Sequence, residues 1–423
     1  MPELPKSTQV VVIGAGQAGI AASEHLKSHG LTHVVLEKSR IAESWQTSRW
    51  DSLVANGPAW HDKFPNLDFK GDQDGFASKS EIAEYMADYA KMIDMPVYTG
   101  IEVASVTRKD KALGFSVATK DGQQIECLYV ISATGAFQIP VSPSLVPTSA
   151  VATQMHSMDY KNPSQLPEHG NVLVVGAGSS GAQIADELST KTNRKVFLSV
   201  GPHDRPPRSY RGRDFCWWLG VLNKWDMETQ PGSDHTTIAV SGANGGRTMD
   251  FRRLASQGVV LLGRTNAYGD GKLTIGHDLV QNVTNGDENY LNLLREADEY
   301  IDQHGLDLPL EVEAHTMLPD PECLTSPVHE LDLDSAGITA IIWSTGFRAD
   351  YSWLAETQAV AGGKPSHKRG ISTEPGIYFL GLPWQTRRGS SFIWGVWYDA
   401  KYVTDHIRKQ QMYIDYKPSG RVP

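Results

Sequence analysis

The opening run of apolar positions is short and continuous. Residues 9–13 (QVVVI) read as a buried strand that enters Gly14-Ala15-Gly16-Gln17-Ala18-Gly19. Residues 20–28 then take helical spacing, Gly30 ends the helix, and residues 33–36 (HVVL) form the next strand. The same order returns later. Residues 171–175 (NVLVV) lead into Gly176-Ala177-Gly178-Ser179-Ser180-Gly181, a helix over 182–188 and a strand over 195–200 (KVFLSV). These are two βαβ units, each with GxGxxG at its strand-to-helix turn. Between them, residues 75–92 have helical spacing and 100–131 alternate like a small antiparallel sheet. Further on, 279–304 read as a helix, 338–343 and 376–382 as buried strands, and a last helix runs through Ile407. The Pro- and Ser-rich stretches are 139–153 and 162–167, and the second is the expected crossover between domains.

The glycines carry the first chemical argument. In such a turn one glycine permits the bend, one lets the backbone approach a pyrophosphate, and one lets helix and strand pack closely. The helix N-terminus then faces the phosphates with free N–H groups. Gly14, Gly16 and Gly19, with Gln17 and Ala18, form one candidate site, and Gly176, Gly178 and Gly181, with Ser179 and Ser180, form the other. Two coincidental glycine turns would leave both strand–turn–helix contexts unexplained.

The ends of the second strands differ. Glu37, followed by Lys38, offers a carboxylate to ribose hydroxyls, as FAD or NAD requires. The matching place in the second unit is Ser199, with no carboxylate to repel a 2′-phosphate. Arg205, Arg208, Arg211 and Arg213 follow, and Arg205 and Arg208 come soonest, which favours NADPH over NADH; a solvated basic loop is the competing reading. Ala133-Thr134-Gly135 and Ser344-Thr345-Gly346 are strand-to-turn signatures expected to close the floor beneath each nucleotide, or plain β-turn chemistry.

Composition narrows the class. The chain has 423 residues, enough for two or three domains, with 40% hydrophobic and 21% charged residues, which excludes disorder. Its net charge is −10 and no basic run interrupts it, so neither nucleic acid nor an anionic membrane is an expected partner. Cys127, Cys216 and Cys323 form no CxxC and no zinc spacing, so no metal and no thiol–disulfide chemistry are expected. No apolar run approaches the ~18 residues of a membrane span, and the first ten residues carry no apolar signal core, so a cytoplasmic setting is expected.

At this point the chain resembles the class B flavin-dependent monooxygenases of the flavin-containing monooxygenase type. The motifs are GAGQAG at 14–19, the stretch 45–56, ATG at 133–135, HSMDY at 156–160, GAGSSG at 176–181, STGF at 344–347 and GIYFLGL at 376–382. The family's FxGxxxHxxx(W/F/Y) fingerprint is half kept: His156 and Tyr160 match, while Ala150 and Ala152 replace its Phe and Gly. The resemblance makes His156 a linker residue rather than an acid or base. It implies an α/β fold with two Rossmann-like domains, an FAD domain interrupted by an NADPH domain. The expected limits are 1–162 for the first part of the FAD domain, 163–345 for the NAD(P)H domain and 346–423 for the C-terminal part of the FAD domain.

The resemblance also places Asn56 at the flavin C4a–N5 edge as the catalytic residue, although Asn56-Gly57-Pro58 suits a simple turn as well. Trp45, Arg49 and Gly381 join the expected cofactor contacts. Trp394, Trp397 and Tyr398 on the last helix are core residues or an aromatic wall above the flavin. The implied cycle has NADPH reduce FAD, O2 add at C4a as a (hydro)peroxide, and one oxygen atom pass to a small organic substrate at N or S. Baeyer–Villiger oxidation or ring hydroxylation is the alternative outcome. The rival classes are an NAD(P)H–flavin reductase and a non-catalytic nicotinamide sensor. A homodimer is the default assembly for a soluble enzyme.

Overall fold

A computed structural model of the chain describes residues 3–228 and 237–417. The first body is built from β1 (Ser7–Ile13), α1 (Gln17–Ser28), β2 (His33–Glu37), α2 (Lys79–Met92), β3 (Val97–Thr99), β4 (Val103–Arg108), β5 (Phe115–Thr119) and β6 (Gln124–Ser132). The chain then passes through β7 (Ile139–Pro140) to β8 (Thr153–His156), β9 (Asn171–Val175), α3 (Ser179–Lys191), β10 (Val196–Ser199), β11 (Val260–Leu262), α4 (Leu279–His304) and β12 (Ile338–Trp343). It returns through β13 (Phe347–Arg348) to β14 (His367–Lys368), β15 (Ile371–Ser372), β16 (Ile377–Phe379) and α5 (Ile393–Asp415).

The first sheet runs β14-β15-β16-β6-β1-β2-β3, with β4 and β5 added beside β6. Its centre is parallel, with Val12 opposite Val35 on one side and Ile131 on the other. Val10, Val11 and Val12 are all fully buried, because helices cover one face and β4–β5 with the 351–360 segment cover the other. This is why the strand reads as a continuous apolar run rather than an alternating one. The second sheet is parallel throughout, in the order β11-β10-β9-β12-β8.

The handover between the bodies lies earlier than the expected one at Asn162. Strand β8 pairs with β12, so residues 153–156 already belong to the second sheet. The actual passage is β7, which pairs antiparallel with β13 on the way back. The Asn162–Gln165 stretch is a capped turn within the second body. The strand TQMH is not legible because three of its four residues are polar and it lies in a Pro- and Ser-rich context.

The bodies also share residues. Trp50 and Leu53 precede the handover yet lie in the core of the second body, with Val172, Val174, Ala182 and Ile184. Trp45 packs against both cores. On the other side, α5 packs along α1, and its Gly395 meets the Gly389 carbonyl of the turn that precedes α5, a contact too close for any side chain.

Candidate active site

The two glycine loops are superimposable in logic. Gly14 has φ +109°, and a Cβ there would meet the Ala133 oxygen at 2.5 Å. A Cβ on Gly19 would sit 1.9 Å from the Gly14 oxygen, so α1 lies directly on the turn. A Cβ on Gly16 would meet nothing within 4 Å, which leaves the middle of the loop open to a ligand. In the second loop Gly176 has φ +103° with the Ser344 oxygen at 2.4 Å, and Gly181 abuts the Gly176 oxygen at 1.8 Å. Gly178 has only Thr237 in ordinary contact, at 3.4 Å. Ala133 and Ser344 therefore provide the floor of each loop through their carbonyls. Gly135 (φ +75°) and Gly346 (φ +83°) turn the chain away into open space. The open cradle at Gly16 and the looser turn at Gly178, touched by Thr237, each at a helix N-terminus, suit a dinucleotide pyrophosphate.

The rim of the first loop is anionic. Glu37 is buried; its Oε2 accepts from the Ala15 amide at 2.9 Å and its Oε1 from the Ser39 amide at 2.8 Å. Each oxygen keeps a lone pair for a ribose hydroxyl. Lys38 points to solvent beyond it. Gln17 donates to the Ser391 carbonyl at 3.2 Å and so ties the start of α1 to the turn before α5. A Cβ on Gly381 (φ +83°) would crowd Ala18 at 2.9 Å, so β16 delivers its turn under the same helix. Thr134 is held by Gln138 at 3.0 Å, and the Thr345 hydroxyl donates to the Val141 carbonyl.

Arg49 stands out among the cations. Its guanidinium lies 5.5 Å from the Trp45 ring and 5.1 Å from Phe137, and no carboxylate among the described residues pairs with it. Enclosure without a counter-charge pushes its pKa down to about 10, so it stays charged at neutral pH. A cation left in this state beside the ATG turn suits an anionic cofactor group.

The basic clamp expected at the second loop is not built from Arg205 and Arg208. Arg205 is buried, with Nε and Nη2 donating to Asp287 at 3.0 and 2.7 Å. Arg208 is buried between the rings of Phe76 and Phe215, donates through Nε to Asp214 at 3.0 Å, and gives Nη1 to the Asn56 carbonyl at 2.6 Å. Ser199 also turns inward, with its hydroxyl donating to the Gly263 carbonyl at 2.9 Å and accepting from the Thr265 amide. This stretch turns back into the protein, where Asp287, far away in sequence, and Asp214, six residues on, neutralise its two arginines. The cation that does reach the strand ends is Arg264, just past β11. Its side chain is 57% exposed, its Nε lies 3.7 Å from where a Gly201 Cβ would be, and Asp278 flanks it at 3.5 Å. The sequence signal for it is an arginine just past the short apolar run 259–262.

Asn56 lies between the bodies. Its Oδ1 accepts from Gln183 of α3 at 2.9 Å, and its backbone carbonyl accepts from Arg208. A Cβ on neighbouring Gly57 would strike the Asp62 carboxylate at 2.5 Å, and Gly242 packs on the Ala55 carbonyl, so this turn is tightly enclosed. His61 binds Asp62 at 2.8 Å and is walled by Trp60, Trp225 and Trp394. Trp394 thus contributes to an aromatic wall, Trp397 packs in the first core, and Tyr398 is exposed. His156 is buried. Its Nδ1 accepts from the Met158 amide and its Nε2 donates to the Gly346 carbonyl at 3.0 Å, so the ring is neutral. Burial lowers its pKa in the same direction. It ties β8 to the turn after β12.

A family model described as pyridine nucleotide-disulphide oxidoreductase matches residues 11–209. An uncharacterized CzcO-like oxidoreductase of Geobacillus kaustophilus is 34% identical, over 94% of this chain and 97% of its own length. The chain belongs to the CzcO family of oxidoreductases. This CzcO-family enzyme is also 32% identical to the indole-3-pyruvate monooxygenase YUCCA6 of Arabidopsis thaliana, over 43% of the chain and 45% of that protein. Its fold is that of the flavin-containing monooxygenase from Stenotrophomonas maltophilia, with a TM-score of 0.66 at 20% identity, covering 96% of this chain and all of that one. Among the described residues of this family member, no helix is long and apolar enough to cross a membrane.

Proposed function

We propose that this chain is an NADPH-oxidising FAD monooxygenase that transfers one oxygen atom of O2 to a small organic substrate at nitrogen or sulfur. The observation that carries the reading is Asn56, held where the two bodies meet, with its amide N–H groups free of any protein acceptor among the described residues. Bound FAD supplies the hydride acceptor and the centre that activates O2. The chain's own groups do the rest. The first loop and Glu37 hold the flavin nucleotide, and Arg49 offsets its anionic charge. The second loop holds the nicotinamide nucleotide, and Arg264 at the rim recognises the 2′-phosphate. Asn56 donates hydrogen bonds where negative charge develops on oxygen. The Trp60–Trp225–Trp394 wall keeps water from that edge.

Charge supports transfer to soft nitrogen or sulfur. The guanidinium bound to the Asn56 turn, Arg208, is neutralised by Asp214, so it does not stabilise a full anion there. A site with donors but no spare cation at this turn favours an electrophilic oxygen. Disulfide reduction, named in the matched family's description, finds little support: all three cysteines are free, and burial pushes Cys127 up to about 12. The test is a panel of amines and thioethers scored as NADPH consumed minus peroxide released, with 18O2 label followed into product. Label in the product supports the reading. A panel in which every turnover ends as peroxide or as reduced acceptor overturns it.

A further inference from the structure

The contact between Asn56 and Gln183 fixes more than a distance. Gln183 is buried on α3, two turns or less from the second glycine loop. Its Nε2 donates to two acceptors, the Val240 carbonyl at 2.6 Å and the Asn56 Oδ1 at 2.9 Å. A backbone carbonyl can only accept. The group that Gln183 turns toward Val240 must therefore be its NH2, and the second hydrogen of that NH2 goes to Asn56. Asn56 must then present oxygen to Gln183 and its own NH2 to the opposite side. The orientation of one amide is thus dictated by another, which is dictated in turn by the main chain.

The surrounding contacts make this arrangement firm. The Asn56 backbone is held by Arg208, itself pinned by Asp214. One turn along α3, buried Glu187 accepts from the Ser52 hydroxyl at 2.7 Å and the Tyr160 hydroxyl at 3.0 Å. Gln183 and Glu187, at i and i+4, form one polar stripe of α3 docked on the 52–56 segment. The Val240 end is linked to the nucleotide cradle as well. Residues 237–240 lie over the second loop, where the Ser179 hydroxyl donates to the Ile238 carbonyl at 2.7 Å and Thr237 touches the Gly178 position.

We infer that Gln183 is a positioning residue that sets the Asn56 amide with its N–H groups toward the flavin edge, and so couples the nicotinamide loop to the oxygen-handling site. This rests on the monooxygenase reading above. The test uses purified FAD-loaded protein in a double-mutant cycle of Gln183→Leu, Asn56→Ala and the pair. Two quantities are read: peroxide release during NADPH oxidation without substrate, and the change in flavin absorbance as NADP+ is titrated in without turnover.

Gln183→Leu is expected to raise substrate-free peroxide release by about tenfold, since small misplacements of catalytic groups have effects of up to ~100-fold. The NADP+ difference spectrum should change shape, while the KM for NADPH stays within about twofold, the mark of a lost orientation rather than lost binding. In the Asn56→Ala background the same substitution should add nothing. Gln183→Glu keeps the side-chain volume and should reproduce the effect, because a carboxylate compels Asn56 to turn its NH2 inward. A Gln183→Leu protein with wild-type peroxide release and spectrum overturns the inference, as does an effect that persists without Asn56. A wild type that already releases peroxide as fast as Asn56→Ala removes the monooxygenase reading and this inference together.

Discussion

The two nucleotide loops share their glycine geometry and part company at the ends of their second strands. In the first, Glu37 reaches back to the Ala15 and Ser39 amides and leaves a buried carboxylate at the end of β2. In the second, Ser199 is spent on the Gly263 and Thr265 backbone, and the exposed group at the rim is Arg264. The loops themselves are generic cradles for a pyrophosphate. What distinguishes one nucleotide from another is the sign of charge a few residues downstream.

Six substitutions break or sharpen this comparison. The largest effect belongs to the third glycines. Gly19→Ala drives a methyl into the Gly14 carbonyl and should cost about 1–3 kcal/mol of packing, with loss of bound flavin measured by the visible-to-ultraviolet absorbance ratio. Gly181→Ala makes the same clash in the second loop and should leave the yellow colour while abolishing reduction by NADPH. If both variants came out colourless, the two loops would not be separate sites.

Gly16→Ala separates folding from binding. Its methyl meets nothing within 4 Å, so the melting temperature should hold while flavin affinity falls; a lowered melting temperature would show that the loop is not open. Glu37→Gln exchanges a charged acceptor for a neutral one and should weaken FAD by about 1.5–3 kcal/mol, or roughly tenfold and more. Equilibrium dialysis of the flavin measures it, and an unchanged affinity would remove the carboxylate from the site. The smallest effect is at the second rim. Arg264→Ala should raise the NADPH KM several-fold with little change for NADH, whereas Arg208→Ala should affect both alike through the Asn56 turn. Equal responses at Arg264 would sink the phosphate assignment.

The parts of this architecture legible in the sequence are those encoded locally. A buried parallel strand is a continuous apolar run, and a glycine loop at its end is contiguous. Both loops, their helices and the Glu37 position follow from a window of a few dozen residues. The parts that were not legible depend on distant partners. Arg205 looked like a free cation until Asp287, 82 residues on, was placed against it. Asn56 could be tied to the flavin edge only by resemblance, and its link to Gln183 spans 127 residues. Strand β8 was hidden because a short edge strand needs only one apolar face and carries polar residues on the other. Charge-bearing sites are thus read poorly from spacing, since whether a guanidinium is spent or spare is a tertiary fact.

The two short strands β7 and β13 have a topological consequence. Because Ile139–Pro140 lies hydrogen-bonded beside Phe347–Arg348, the whole intervening segment leaves and re-enters the first body through one doorway. Excising it and bridging the gap with a tight turn would require no rerouting of the remaining polypeptide. The truncated protein would nonetheless carry Trp50 and Leu53 bare to solvent, a greasy scar marking where its other half had rested.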